Sequence, residues 1–490
     1  MTGIVSHMRS PLRFAVLTVM FVLAFQLFSL PAGAATCLFV PPAVTVDVGA
    51  GETATIGRTG VDITLNGAAC GGATVANTDT ITITTTGVPA EIVIDLTGGP
   101  LAPGLSPEAD GSSEIESTVN VPNGVPTLRI IGAAGADHIV AGANGINLNA
   151  DETTADADVT ITGTPDLVIE GRDGDDILSL AGGAGTGTTG VRGTLLGQAG
   201  NDHLSGAIPG SAFDGGDGTD EIDYTGAIQL ELANLSAGQV THQGGGTDTL
   251  AGIENLTGSP GDDRIVGNGS DNVIDGGDGN DTIDFSAASS AMNVDLRVGS
   301  AVGDGTDVLS SVENVIGSLF EDHIVGNGGA NLLDGGPSDD KIDGGAGDDT
   351  LIGGEGSDTV SFQSATEGVT VSLKKGTAEG NGADTLEGFE NVVGTLKADE
   401  IHGDGAGNRL DGRRGPDRIF GGGGPDIIQG GDGNDVLFGQ RGNDVLLGDS
   451  GKDQLDGGKG SKDVCKGGSG PDSFVSCETI NAGPGSKPLI

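Results

Sequence analysis

The sequence predicts an all-β fold, a right-handed parallel β-solenoid with a β-rich cap at its N-terminal end. Three observations predict it: a glycine-rich unit of nine residues repeats back to back over 421–456, an aspartate holds the sixth place, and an aliphatic residue holds the eighth. The units read GGGGPDIIQ, GGDGNDVLF, GQRGNDVLL and GDSGKDQLD. Asp426, Asp435, Asp444 and Asp453 are the sixth residues, and Ile428, Leu437, Leu446 and Leu455 the eighth. The glycine-rich six residues suit a tight turn, because Gly adopts positive φ without a Cβ penalty. The other three suit a short strand whose middle side chain alone points inward. Two units then close one coil, so residues eighteen apart stack at about 4.8 Å. Asp417, Asp435 and Asp453 fall in one column, and Asp426 and Asp444 in the opposite one.

Composition narrows the function. Glycine supplies 93 of 490 residues, Trp is absent and Tyr224 is the single tyrosine, so no thick aromatic core is available. The net charge of −48 opposes compaction and argues against nucleic acid or an anionic membrane as partner. The acids fall on a strict period with apolar residues between them, which separates the chain from a disordered acidic polymer.

Residues 1–34 carry Arg9 and Arg13, an apolar run over 14–30 and then Pro31-Ala32-Gly33-Ala34, the pattern of a secretory signal. No later stretch approaches the ~20 apolar residues of a membrane span. Residues 35–131 lack nonapeptides and hold short alternating runs, VTVDV from 44, ITI from 81 and IVIDL from 92. They read as strands, either a cap on the solenoid or a small separate domain. Residues 132–223 hold degenerate units, among them GAAGADHIV, GRDGDDILS, GQAGNDHLS and GAIPGSAFD, the last with Ser211 in the aspartate's place.

Over 224–393 a longer module recurs three times. Its copies open at Ile222-Asp223-Tyr224, Ile283-Asp284-Phe285 and Val360-Ser361-Phe362, and each later reaches a Glu-Asn pair (Glu254, Glu313, Glu390) before the nonapeptides restart. Residues 394–477 form the regular array. It slips once, between Gly457 and Gly467, where Lys462 stands at the aspartate's place. Residues 478–490 are a Gly/Pro-rich segment expected to be a flexible tail. The cysteines form two local couples, Cys37 with Cys70 and Cys465 with Cys477; in an exported chain these point to disulfides clamping the two ends.

Carboxylates stacked this closely repel one another unless a cation sits between them. Ca²⁺ takes six to eight oxygens at roughly 2.3–2.6 Å, whereas Mg²⁺ demands a stricter octahedron and the soft ligands of zinc or copper are missing. A thin glycine-rich coil is marginal alone, so the binding free energy of the metal becomes folding free energy.

These units resemble the haemolysin-type calcium-binding repeats of the RTX family, which fold as a parallel β-roll. The resemblance spans 132–477. It implies that the sixth-position carboxylates and the turn carbonyls hold Ca²⁺ between successive turns. The residues concerned are Asp137, Asp176, Asp202, Asp220, Asp263, Asp281, Asp322, Asp340, Asp349, Asp358, Asp399, Asp417, Asp426, Asp435, Asp444, Asp453 and Asp472. Asn272, Asn331 and Asn408 are weaker ligands, and Ser211 and Lys462 interrupt the pattern. Type I secreted members usually lack both a cleaved signal and cysteines, so this chain points instead to general export.

No His-Glu-x-x-His, Gly-x-Ser-x-Gly or Gly-Lys-Ser/Thr motif occurs. His138, His203, His323 and His402 fall on outward strand positions. The expectation is a non-enzymatic, secreted, extracellular calcium-binding protein with a structural, surface or adhesive role, cell-surface glycans being candidate partners. The alternative is a calcium-stabilised secreted hydrolase or polysaccharide lyase, acting through residues in 35–131 or on a face of the solenoid.

Overall fold

The computed structural model describes residues 35–101, 115–121, 126–148, 157–481, 483 and 487–488. The expected secretory segment, 1–34, lies outside them, as does much of the expected tail. The described residues hold strands and turns without a helix, and so no helix among them is long and apolar enough to cross a membrane.

Successive strands alternate between two sheets, and each pairs in parallel with the strand one coil away. In the last block Arg418–Gly423, Val436–Arg441, Gln454–Asp456 and Ser473–Val475 ladder on one sheet. Arg409–Asp411, Ile427–Gly433, Val445–Gly451 and Val464–Lys466 ladder on the other. Between the sheets runs a thin apolar line. Ile419, Leu437, Leu455 and Phe474 face Leu410, Ile428, Leu446 and Cys465, all at most 1 % exposed. Each strand contributes one such side chain, as three-residue strands must.

Both sheets continue into 35–131. Ala43–Val48 pairs in parallel with Thr80–Thr85, which pairs with Glu116–Asn120 and then Val159–Thr162. Thr53–Thr59 pairs with Glu91–Asp95, then Thr127–Ile131 and Asp166–Asp173. The ladder of parallel strands thus runs on from this region into the strand Asp166–Asp173. The region's coils are longer and its parallel strands bury two or three side chains each, such as Val44, Val46 and Val48, Ile81 and Ile83, and Ile92 and Ile94. Outside, Arg129 pairs with both Glu91 and Glu170 across three strands. Thr36–Val40 folds back antiparallel on Ala43–Val48, and the Cys37–Cys70 disulfide ties it to Ala68–Thr74.

The three long modules are excursions within the ladder. Each adds an antiparallel meander: Leu230–Asn234 with Gln239–His242 and Thr247–Ala251, then Asn293–Asp295 with Ser300–Gly303 and Gly305–Ser310, then Thr370–Ser372 with Thr377–Glu379 and Ala383–Glu387. The middle meander widens the sheet opposite to the other two. The aromatic residue that opens each module, Tyr224, Phe285 or Phe362, is buried. At the slip in the last block the extra residue is absorbed in the turn before Val464–Lys466. Cys465 then takes the aliphatic column position and bonds Cys477.

Candidate metal centres

The stacked aspartates do form columns, and peptide N–H groups interleave them. The N–H of Asp417 donates to Asp435 Oδ1 (2.9 Å), that of Asp435 to Asp453 Oδ1 (3.0 Å), and that of Asp453 to Asp472 Oδ1 (3.1 Å). On the opposite sheet Asp426 donates to Asp444 Oδ1 (2.9 Å) and Asp444 to Asp463 Oδ1 (2.9 Å). One oxygen of each carboxylate is thus an acceptor for the coil before it. In thirteen of the aspartates the other has no donor. Oδ2 is buried and unpartnered at Asp176, Asp202, Asp220, Asp281, Asp340, Asp349 and Asp358, and at Asp417, Asp426, Asp435, Asp444, Asp453 and Asp463. A buried carboxylate oxygen left without a partner costs several kcal/mol, on the order of what a lost charged hydrogen bond costs.

The surroundings of that oxygen are made of more oxygen. A Cβ placed on the first glycine of a unit would lie 2.4 Å from Asp444 Oδ2 and 2.6 Å from the Gly457 carbonyl at Gly439. At Gly448 the same point lies 2.5 Å from Asp453 Oδ2 and 2.8 Å from the Gly467 carbonyl. Glycine at the first place leaves a cradle where a carboxylate and the carbonyl of the next coil converge with no hydrogen between them. Among the described residues no three His, Cys, Asp or Glu side chains converge, so each cradle offers one carboxylate and backbone carbonyls. Such an all-oxygen donor set fits a hard cation of flexible geometry, Ca²⁺. Burial, reinforced by neighbouring carboxylates and opposed by the bound N–H, pushes the Asp417 carboxyl up to about 8 and those of Asp426 and Asp453 to about 7. In Asp435 burial raises it to about 6. A cation would supply the charge these groups lack.

The turns are of two kinds, set by the second residue of the unit. Where Oδ2 is unpartnered that residue has a left-handed φ, glycine or not: Gly422 (+106°), Gly431 (+98°), Arg413 (+69°), Gln440 (+68°), Asp449 (+65°). Where the second residue lacks a positive φ its N–H reaches the sixth side chain and closes the turn. Ser259, Ser318 and Thr395 give N–H and hydroxyl to Asp263, Asp322 and Asp399, filling both oxygens. Ala133 gives its N–H to Asp137 Oδ2 (2.8 Å). Asn272, Asn331 and Asn408 accept the N–H of Asn268, Asn327 and Asp404 and donate to the carbonyls of Glu254, Glu313 and Glu390. These residues lie on the predicted columns, yet protein groups already occupy the oxygens a cation would need.

Some column members were not on the predicted grid. Asp463, one residue past Lys462, is buried and takes its place at the slip. Asp307 and Asp384 accept the N–H of Asn272 and Asn331's successor Asp349, with separations of 35 residues. Both sit in a G-x-G-x-D-x-Leu run whose first place is Val302 or Glu379, so the missing glycine hides the unit. Glu254, Glu313, Glu390 and Glu478 accept the N–H of Asp220, Asp281, Asp358 and Asp463 in the same way.

At the Ser211 unit the substitute is more elaborate. Asp248 Oδ1 accepts the N–H of Gly210 (2.7 Å) and Ser211 (2.8 Å), while Oδ2 is met by His242 Nε2 (2.7 Å) and the Tyr224 hydroxyl (3.2 Å). Burial and the Asp248 charge raise the Tyr224 phenol well above its usual range. Side chains here occupy the oxygen that is unpartnered elsewhere. His242→Ala should therefore cost about 1–3 kcal/mol, the penalty of removing one hydrogen-bond partner from a buried carboxylate. Thermal unfolding at saturating calcium would measure it, and added calcium should not restore the loss.

The outward histidines lie on the strand faces. His203 is held by Asp223 and Glu221, which raise it to about 9, and His402 Nε2 lies 2.8 Å from Glu400. His323 is lowered, chiefly by burial. Residues 248–283, 315–360, 384–419, 402–437, 411–446, 429–461 and 442–474 match the family model of the RTX calcium-binding nonapeptide repeat. The matched stretches cover the regular array and parts of the long modules. The units of Asp137, Asp176, Asp202 and Asp220 lie outside them.

Proposed function

We propose that this chain, which carries RTX calcium-binding nonapeptide repeats, is an exported structural or surface protein whose solenoid is completed by Ca²⁺ at the open turns. The row of buried, unpartnered Oδ2 atoms carries this reading. The ligands assigned are the thirteen aspartates of that row, from Asp176 to Asp463, each with the carbonyls of its own and the adjacent turn. Bound calcium supplies positive charge to oxygens that burial has stripped of water. Asp137, Asp263, Asp322 and Asp399 serve as closed joints of the same columns, and Asp472 receives the N–H of Asp453. Export is supported by Arg9, Arg13 and the apolar run after them, and by the disulfide at each end. A rigid rod with no demand for a thick core suits a structural, surface or adhesive role.

Counting bound calcium in matched variants tests the assignment. Asp435→Asn should remove at least one ion from the full chain by equilibrium dialysis. Asp399→Asn, which copies what Asn408 does one unit away, should leave the number unchanged. Equal counts for Asp435→Asn and the parent chain would refute the open-turn sites.

A further inference from the structure

A second site lies on the outer face of the sheet that holds Asp417 and Asp435. His402, Phe420 and Phe438 stand on consecutive coils with rings nearly parallel, at centroid separations of 4.5 and 4.9 Å. The Arg418 guanidinium lies 4.8 Å from the Phe420 centroid and 5.2 Å from that of Phe438. Beside this stack opens a cleft of about 800 Å³, walled on one side by the tip of the Thr370–Ser372 hairpin and on the other by the turns of the next coils. Lys374 and Lys375 project from that tip and Arg441 from the turns, all exposed, with no carboxylate in ion-pair range of any of them among the described residues. Lys459 follows Arg441 on the next coil.

In a chain of net charge −48 this grouping runs against the background. Aromatic side chains are scarce as well, and Phe213, Phe285, Phe362, Phe389 and Phe474 are spent on the core. Two of the few left outside it stand one above the other next to free cations. Aromatic faces with an Arg beside them offer apolar, polarisable surface, and Lys and Arg heads offer charge-assisted hydrogen bonds to carboxylates.

We propose that this cleft binds a uronate-bearing glycan, with sugar rings packed against His402 and Phe420, the two members of the stack that line it, and carboxylates paired with Lys374, Lys375 and Arg441. A pyranose ring with an apolar C–H face and one carboxylate matches both parts of the cleft. A densely charged polyphosphate would meet the repulsion of the whole molecule, and an acidic peptide would leave the stack without a ring to cover it. Asp404 also lines the cleft, its Oδ1 accepting the Ala406 N–H, and it disfavours ligands with charge on every edge.

Calorimetric titration of the calcium-loaded full chain with a short oligogalacturonate, and with its carboxyl-reduced neutral counterpart, tests the site. The acidic sugar should bind and the neutral one should bind at least about tenfold more weakly. Lys374→Ala/Lys375→Ala and, separately, Phe420→Leu should each weaken binding by about tenfold with an unchanged circular dichroism spectrum. Lys341→Ala, on the other sheet, should bind as the parent does. No binding at millimolar sugar, equal binding of the neutral sugar, or parent-like binding by either cleft variant would overturn the proposal. The calcium counts above are read without sugar, so the two proposals fail independently.

Discussion

Excess chelator should unfold the nonapeptide part of the chain and spare its N-terminal coils. Amide protection between 197 and 474 is expected to collapse by hydrogen exchange, while the strands between 43 and 131 keep theirs. The reason lies in what each coil buries. A nonapeptide strand buries one aliphatic side chain, worth perhaps 1.5–3 kcal/mol, against about 1–2 kcal/mol for ordering each of its nine residues. Without the cation it also carries a desolvated carboxylate. The N-terminal strands bury two or three side chains apiece, and none of the unpartnered aspartates falls among them. Uniform loss, or uniform retention, would show that calcium is not what separates the two regions.

The calcium-free chain should also respond to acid in the direction opposite to most proteins. Most native carboxylates have depressed pKa values, so acid removes stability. Here burial raises Asp417 to about 8 and Asp281, Asp340, Asp349, Asp426 and Asp453 to about 7, from an ordinary 3.8. The folded chain then binds more protons than the unfolded one between about pH 4 and 8, so its stability rises as pH falls through that window. Circular dichroism in chelator should show strand signal returning from pH 8 to 4.5. Salt at pH 8 should recover much less, since screening acts on exposed charges rather than buried ones. A steady loss of signal on acidification would contradict the unpartnered Oδ2 atoms.

The second large effect concerns two glycines of the last block. Gly442 has φ +150°, and a Cβ there would lie 1.7 Å from the Gly424 carbonyl oxygen and 2.6 Å from Asp444 Oδ1. Gly405 has no positive φ, and a Cβ would meet nothing within 4 Å. Gly442→Val combines backbone strain with a clash against a paired coil and should cost more than about 4 kcal/mol. Gly405→Ala should stay within about 0.5 kcal/mol of the parent, or gain slightly from a stiffer unfolded chain. Calcium midpoints followed by circular dichroism would rank them; similar midpoints would mean that glycine serves composition rather than position.

The period of nine made the coil, both columns and the apolar line legible before any coordinates. What it could not distinguish was which aspartates are satisfied by the protein. Asp263 and Asp281 look alike in sequence, yet Ser259 closes one turn and Gly277 leaves the other open. The decision rests on a φ angle at the second residue, and a side chain such as Gln440 or Asp449 can adopt the glycine-like value when the coil demands it. Asp463 escaped because an inserted residue moved it off the grid, and Asp248 because it lies 37 residues after Ser211, on the last strand of a meander. The N-terminal strands show no unit of nine because their coils are held by side-chain volume instead.

The buried rung between coils has a sense. In each column the N–H of one coil is received by the carboxylate of the next, ending with Asp463 donating to Glu478. A shallower rung runs the other way, as when Lys452 N–H donates to Asn434, but it is exposed to water. Shortening the chain from its C-terminal end therefore strips the carboxylate acceptors from the buried N–H groups of the coil that remains, whereas shortening it from the other end leaves this buried carboxylate rung intact in the coils that stay. The solenoid is a stack in which the buried carboxylate rung of each storey comes from the one made after it, and the Glu478 turn, beside the Cys465–Cys477 disulfide, supplies that rung to Asp463.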